Sequence, residues 1–263
     1  MADVAPAPAR FERPSLLTFV MMVAVGAFVI VSFDGVGVSL SKAWDGLPAM
    51  GRLVERMFPP DFSRIASVGG ALLETFQMAV AGTALGVLAS IPLAILASRR
   101  HSPATPVYLA VRALISFFRT VPDLVWALIF VVAVGLGPFA GTLAIMIDTI
   151  GFCGRFFAEA MEEVEEGPQE ALSGLGAGRL AVVFCAVMPA ALPSLVATSL
   201  FSLEKATRSS VVLGLVGAGG IGIELKVAME MFSYGQACTI ILAVFLLVLA
   251  VEQASAWLRR RIL

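Results

Sequence analysis

Five charge-free stretches dominate the hydropathy pattern: Pro14–Phe33, Thr75–Ser98, Leu124–Ile147, Leu180–Leu203 and Met231–Val251. None shows the 3.6-residue alternation of a helix lying half in water. A helix rises about 1.5 Å per residue, so about 20 apolar residues cross a hydrocarbon core. The pattern therefore predicts membrane spans. Gly135-Leu136-Gly137-Pro138 interrupts the third stretch with turn chemistry. Splitting there predicts one helix from about Pro106 to Gly135 and another from about Phe139 to Glu159, which makes six spans. The first of these two carries Arg112, Arg119 and Asp123, and the second carries Asp148 and Arg155.

Parity favours six. An even number of spans puts Arg10 and Arg13 on one side with Arg259-Arg260-Arg261 and the Arg99-Arg100 loop, as the positive-inside bias requires. Both termini are expected to be cytoplasmic. Residues 34–70 then form an external connection, with a short amphipathic helix around Trp44–Met57 and punctuation at Pro59-Pro60 and Gly69-Gly70. The first apolar run is longer than the h-region of a cleaved signal peptide, and no small-residue cleavage site follows Phe33. It reads as a retained anchor.

Composition sharpens this picture. Of 263 residues, 59% are hydrophobic and 14% charged, against about 25% charged in soluble domains. The excess apolar surface needs lipid, which makes the chain an all-α integral membrane protein. A net charge of −1 offers no field for holding a nucleic acid. Cys153, Cys185 and Cys238 lie in apolar surroundings with no CxxC, so all three read as buried structural thiols.

Catalytic and metal chemistry is missing from the sequence. The lone histidine, His101, follows Arg99-Arg100 with no cysteine or carboxylate cluster beside it, and reads as solvated or headgroup-facing. Gly217-Ala218-Gly219-Gly220-Ile221-Gly222 fits GxGxxG. However, it joins two spans rather than a strand and a helix, and Ile240–Leu242 stands where the ribose-binding acid belongs. There is no GxxxxGK[ST] for ATP. The glycines instead suit a broken or re-entrant segment covered by protein.

Ionisable groups inside spans are expensive and usually functional. Arg119 and Thr120 precede Pro122 and Asp123, where the proline must break the helix and a guanidinium would line a polar path. The competing reading pairs Arg119 with Asp123 one turn away. Arg155 reads as snorkelling to headgroups or pairing across helices, and Glu74 as a boundary residue that caps the second span. Lys205, Arg208, Ser209 and Ser210 read as an outer anion vestibule or a solvated edge.

The loop of about Met161–Arg179 opens acidic with Glu162-Glu163-Val164-Glu165-Glu166, turns at Gly167-Pro168, and runs helix-like from Gln169 to Leu180. Within it, Glu170-Ala171-Leu172 is followed by Gly176, and later by Ala186, Met188 and Pro189. This spacing resembles the loop of bacterial ABC importer permeases: EAA, three residues, G, nine residues, I, any residue, L-P. Leu172, Ala186 and Met188 depart from it but stay small or apolar. Arg119–Phe130 (RTVPDLVWALIF), Thr149–Phe152, Phe157–Ala160 and Arg208–Gly222 (RSSVVLGLVGAGGIG) are similar to stretches of the phosphonate/phosphite branch. The likeness runs from about Ala71 to the C-terminus.

That resemblance implies a type I, MetI-like permease fold. Residues 1–70 would supply a cytoplasmic tail, the first span and the external segment; residues 71–263 would form the permease core, with a coupling loop at about 161–180. Glu170, Ala171, Gly176 and Pro189 would couple to an ATPase. Arg119, Thr120, Pro122, Asp123, Arg208, Ser209, Ser210, Gly217, Gly219, Gly220 and Gly222 would line or gate the path. The implied partners are two ABC ATPase subunits, an extracytoplasmic substrate-binding protein and a second copy of the chain, in the bacterial inner membrane. No cofactor, metal or catalytic group would belong to this chain; ATP and Mg would sit on the ATPase. A related importer for methionine or glycine betaine stays open as an alternative, as does a non-ABC channel or an integral-membrane enzyme.

Overall fold

The structure, a computed structural model, describes residues 15–37 and 39–262. Arg10 and Arg13, on which the expected orientation partly rests, lie outside them. Among the described residues there are helices and turns but no strand. The chain divides into two units, Met1–Glu55 and Arg56–Leu263.

In the first unit, α1 (Leu16–Gly35) is apolar on every side, with Ser15 accepting from the Thr18 N–H at its N-terminus. Helix α2 (Leu40–Met57) exposes Trp44, Leu47, Met50 and Val54 along one stripe. It is the amphipathic helix expected there, and its pattern suits a membrane interface.

The second unit contains α3 (Ile65–Ala97), α4 (Thr105–Thr120), α5 (Asp123–Val134), α6 (Pro138–Glu162), α7 (Glu166–Gly174), α8 (Arg179–Leu215), α9 (Ile221–Glu230) and α10 (Tyr234–Ile262). Helices α1, α3, α6, α8 and α10 are each long and apolar enough to cross a membrane. The sixth candidate is the pair α4 and α5, which bend by 90°. The expected single helix over 106–135 is thus two. Val121 is extended (ψ 121°) ahead of Pro122, as the clash with a following proline ring demands.

Helix α3 is the central post. Gly82 and Gly86 bring it against α6 so closely that a Cβ at either would lie 2.7 Å from Ile145 or 2.5 Å from Thr149. Small residues at such crossings let helices approach where lipid supplies no hydrophobic drive. Three apolar clusters succeed one another along α3: Val68 with Ile221, Ala228 and Ile240; Met78 with Ala127, Ile145, Leu213 and Ala218; and Ala94 with Ile115, Phe157, Met161 and Leu195. Gly69-Gly70, expected to punctuate the external segment, instead lie inside α3. Cys153 and Cys238 are buried but Cys185 is exposed, because the π-helical turn Val183–Val187 carries it on the outer surface of α8.

Candidate functional site: an exposed loop helix and an arginine-lined cavity

Helix α7 has no buried residue. It starts at Glu166 rather than Gln169, and it ends at Gly174 instead of continuing to Leu180. Its end explains the glycine of the spaced motif. The Gly176 N–H donates to the Ser173 carbonyl and the Ala177 N–H to that of Leu172, both at 3.0 Å. These are the paired bonds of a Schellman cap, whose third residue must be left-handed. Gly176 has φ +86°, and nothing lies within 4 Å of a Cβ built there. The requirement for glycine is one of backbone, not of space. Glu170 and Ala171 are exposed, and Leu175 is 85% exposed, so an apolar tip faces outward beside the cap.

Pro189 acts further along. It has no N–H for the Cys185 carbonyl, and Pro193 repeats the deficit one turn on; the π-turn Val183–Val187 precedes both. Helices commonly relieve such a lost bond in this way.

The sequence reading missed what holds α7. The Arg99 N–H donates to Glu162 (2.6 Å), Arg100 pairs with Glu166, and His101 bridges the Ser98 hydroxyl (Nδ1, 2.8 Å) and the Gln169 amide oxygen (Nε2, 3.3 Å). His101 is half-buried in this clamp rather than solvated or facing headgroups. Arg99-Arg100 followed by a lone histidine, with glutamates across the next loop, was the available signal.

A second feature lies between α4 and α6. A cavity of about 300 Å3 is lined by Ala97, Arg112, Ile115, Ser116, Arg119, Arg155 and Ala158. Arg112 donates to the Tyr108 hydroxyl (2.6 Å), and Arg155 pairs with Glu159 on its own helix (2.7 Å); among the described residues Arg155 has no partner across helices. Among the described residues Arg119 has no ion-pair partner. The expected Arg119–Asp123 pair is absent because the break at Pro122 turns α5 away, and Asp123 caps α5 by accepting from the Leu124 N–H (2.9 Å). Thr120 donates to the Ser116 carbonyl.

The remaining path candidates lie elsewhere. Lys205 pairs with Asp148 through both carboxylate oxygens (2.8 and 2.9 Å), so it belongs to a helix contact rather than to an outer edge. Ser210 is buried and bonds the Thr207 carbonyl; Arg208 is exposed and Ser209 half-buried. Arg259, from the C-terminal arginine run, pairs with the buried Glu204 (2.8 Å).

Gly217, Gly219 and Gly220 form the turn between α8 and α9, with φ of +89°, +90° and +75°; Gly222 lies within α9. A second Schellman cap, Gly217 N–H to Gly214 and Ala218 N–H to Leu213, closes α8. Glu74 accepts from the Gly220 N–H (2.8 Å) and Thr75 from the Ile221 N–H (2.7 Å). Glu74 does cap a helix, but it caps α9 from inside α3 rather than heading its own span.

Outside the spans, Asp61 accepts from the Ser63 N–H (2.9 Å) and from Gln236 (3.2 Å). The Ser63 bonds, then that of Gln236, hold its carboxyl below the ordinary range.

An all-helical, lipid-facing core that presents a bare, glycine-capped helix on one loop defines a membrane subunit of a multi-component transport system. The chain belongs to the family of binding-protein-dependent transport system inner membrane components, whose profile covers residues 90–263. It is 37% identical over 96% of its length to the phosphate-import permease protein PhnE of Mycolicibacterium smegmatis, spanning 47% of that protein. It is 38% identical over 82% of its length to the phosphite transport system permease protein PtxC of Stutzerimonas stutzeri, spanning 78% of that one. The chain thus spans about half of the first relative and most of the second. An inward-facing MetNI methionine ABC transporter shares the fold, with TM-score 0.68 and 21% identity over 77% of this chain and 99% of that chain.

Proposed function

We propose that this chain is a permease subunit of an ATP-driven importer of phosphorus oxyanions: phosphonate, phosphite or phosphate. The observation that carries this reading is the 37–38% identity, along most of the chain, to permeases named for phosphate import and phosphite transport. Both termini face the cytoplasm, with Arg259–Arg261 on the inner side. Helix α7 enters a groove on a separate ATPase subunit, which holds ATP and Mg; an amphipathic helix in a groove is a common mode of recognition. Glu170 and Ala171 meet that groove, Gly176 closes the helix, and Pro189 sets the flexible π-turn behind it. A binding protein delivers the anion on the outer side, near Arg208, Ser209 and Ser210.

Two permease units pair around the path, the second being another copy of this chain. The M. smegmatis relative, of which this chain spans 47%, has the length for two such units. Alternating access turns on two breaks, Arg119–Asp123 and the Gly217–Gly222 turn. When ATP closes the ATPases, α7 moves, and its clamp to Arg99–His101 carries that motion to the junction of α3 and α4.

Uptake of labelled methylphosphonate, with and without an in-frame deletion of the gene, tests this function. Loss on deletion and return on complementation are expected, with unlabelled phosphite and phosphate ranking the ligands by competition. A methionine importer is the second reading, favoured by the shared fold with the methionine transporter. Methionine uptake lost in the same deletion, with methylphosphonate uptake intact, would establish it instead.

A further inference from the structure

We infer that the cavity between α4 and α6 is a binding site for a phosphoryl- or phosphonyl-type oxyanion. Three arginines, Arg112 and Arg119 from α4 and Arg155 from α6, line one space of about 300 Å3. That is at the small end of ligand cavities. The charge there is not balanced by protein. Glu159 answers Arg155, and the Tyr108 hydroxyl that meets Arg112 is neutral. Among the described residues neither Arg112 nor Arg119 has a carboxylate at ion-pair distance. Asp123, Asp148 and Glu162 do not line the cavity, and Asp148 is paired with Lys205. Arg112 is half-buried while Arg119 and Arg155 reach solvent, and three cations against one anion around one space favour an anionic guest.

The donor set selects the guest's chemistry. Guanidinium forks bind oxyanions through paired, charge-assisted bonds. Three forks, with the Ser116 hydroxyl on the same wall, offer more donors than a carboxylate's two oxygens can use. A phosphorus oxyanion with three or more oxygens matches them. The site is also rigid. Gly151 lets the backbone of α4 sit directly on α6, a Cβ there lying 2.9 Å from the Arg119 N, and Gly154 receives Ile115 in the same way at 3.2 Å. The arginines therefore stand on two locked helices rather than on loops, which holds a site in geometry.

A transported oxyanion and a phospholipid headgroup share this chemistry, and the first of these sources rests on the function proposed above. The test uses the full chain, purified in a phosphate-free maltoside detergent. Binding of phosphite and of methylphosphonate is followed by phosphorus NMR titration, and co-purified phospholipid by mass spectrometry. Wild type, Arg119→Gln, Arg155→Gln, Arg119→Lys and the α2 control Arg52→Gln are compared, each checked for monodispersity and helical content.

Saturable binding that both glutamine variants weaken by at least about tenfold, the weight of one charge-assisted hydrogen bond, supports the site with a free anion as guest. Arg119→Lys is expected to retain part of it and Arg52→Gln all of it. Phospholipid retained by wild type and lost from both glutamine variants, without free-anion binding, supports it with a headgroup as guest. Neither result, or equal binding by all five proteins, overturns the inference. Binding needs no transport, so the two readings fail separately. Anion binding without methylphosphonate uptake would sink the importer reading and leave the site standing; uptake by a wild type with an empty cavity would do the reverse.

Discussion

Gly176→Ala is the most informative single change to α7. No atom lies within 4 Å of the added methyl, yet φ stays at +86° as long as the two cap bonds hold. Left-handed backbone costs an L-residue with a Cβ roughly 1–2 kcal/mol, which is a factor of about 5–30 in the ratio of capped to frayed helix ends. Asparagine tolerates this conformation better than alanine does although it is larger. The backbone argument therefore ranks Gly above Asn above Ala above Val. Hydrogen exchange of the 176 and 177 amides, which make the two cap bonds, reads the effect directly in the purified chain. Protection should fall by about 5–30-fold in Gly176→Ala and by less in Gly176→Asn. Stimulation of the ATPase in the reconstituted importer should follow the same order. A ranking by size, with Asn worse than Ala and cap protection unchanged in Ala, would refute the reasoning. It would mean that Gly176 is needed for contact with a partner.

Three further outcomes follow from named contacts. Thr75→Val leaves the buried Ile221 N–H without its acceptor, and should destabilise the chain by about 1–3 kcal/mol, read as a lowered thermal midpoint in detergent. Asp148→Asn strips a half-buried Lys205 of its ion pair. Because the uncompensated charge does most of the harm, Asp148→Asn/Lys205→Met should be more stable than Asp148→Asn alone; a less stable double variant would contradict this. The folded-state carboxyl of Asp61 titrates below its unfolded value of 3.8, so its contribution is complete above that pH and is lost as pH falls through the lower folded value. The stability difference between wild type and Asp61→Asn should accordingly hold down to about pH 4 and shrink as the pH falls further, as followed by acid unfolding.

Much of the fold was legible because span length and turn chemistry are local properties. The apolar runs, the amphipathic helix over Leu40–Met57, the break at Pro122 and the glycine turn after α8 each follow from a few adjacent residues. What sequence could not supply were pairings between helices. Arg119 and Asp123 are four apart and would meet on an unbroken helix; the same Pro122 that flags the site separates them. Glu74 looks like a cap because it precedes an apolar run, but the N–H it serves belongs to Gly220, 146 residues on. Arg155 was visible as a single intramembrane charge. That it shares a cavity with Arg112 and Arg119 depends on Gly151 and Gly154, whose role shows only once α4 lies against them.

The arginine cavity and α7 meet at one short stretch of chain. Ala97, the last residue of α3, lines the cavity, and the next four residues, Ser98 to His101, form the clamp on α7 and its flanks. Two of those bonds involve a charged side chain, the Arg99 N–H to Glu162 and Arg100 to Glu166, and His101 adds a third tie to Gln169. Two of these ties end on α7 itself, at Glu166 and Gln169, so a shift of α7 strains both at once. On its other side the junction cannot yield independently either, because α4 is pressed onto α6 through Gly151 and Gly154 with almost no clearance. Close-packed contacts move between discrete arrangements instead of stretching. A displacement imposed at α7 therefore reaches the cavity at Ala97, while Arg112, Arg119 and Arg155 stay together on the locked pair α4 and α6. On the function proposed above, the four residues Ser98–His101 would connect that wall of the cavity to the motion of α7.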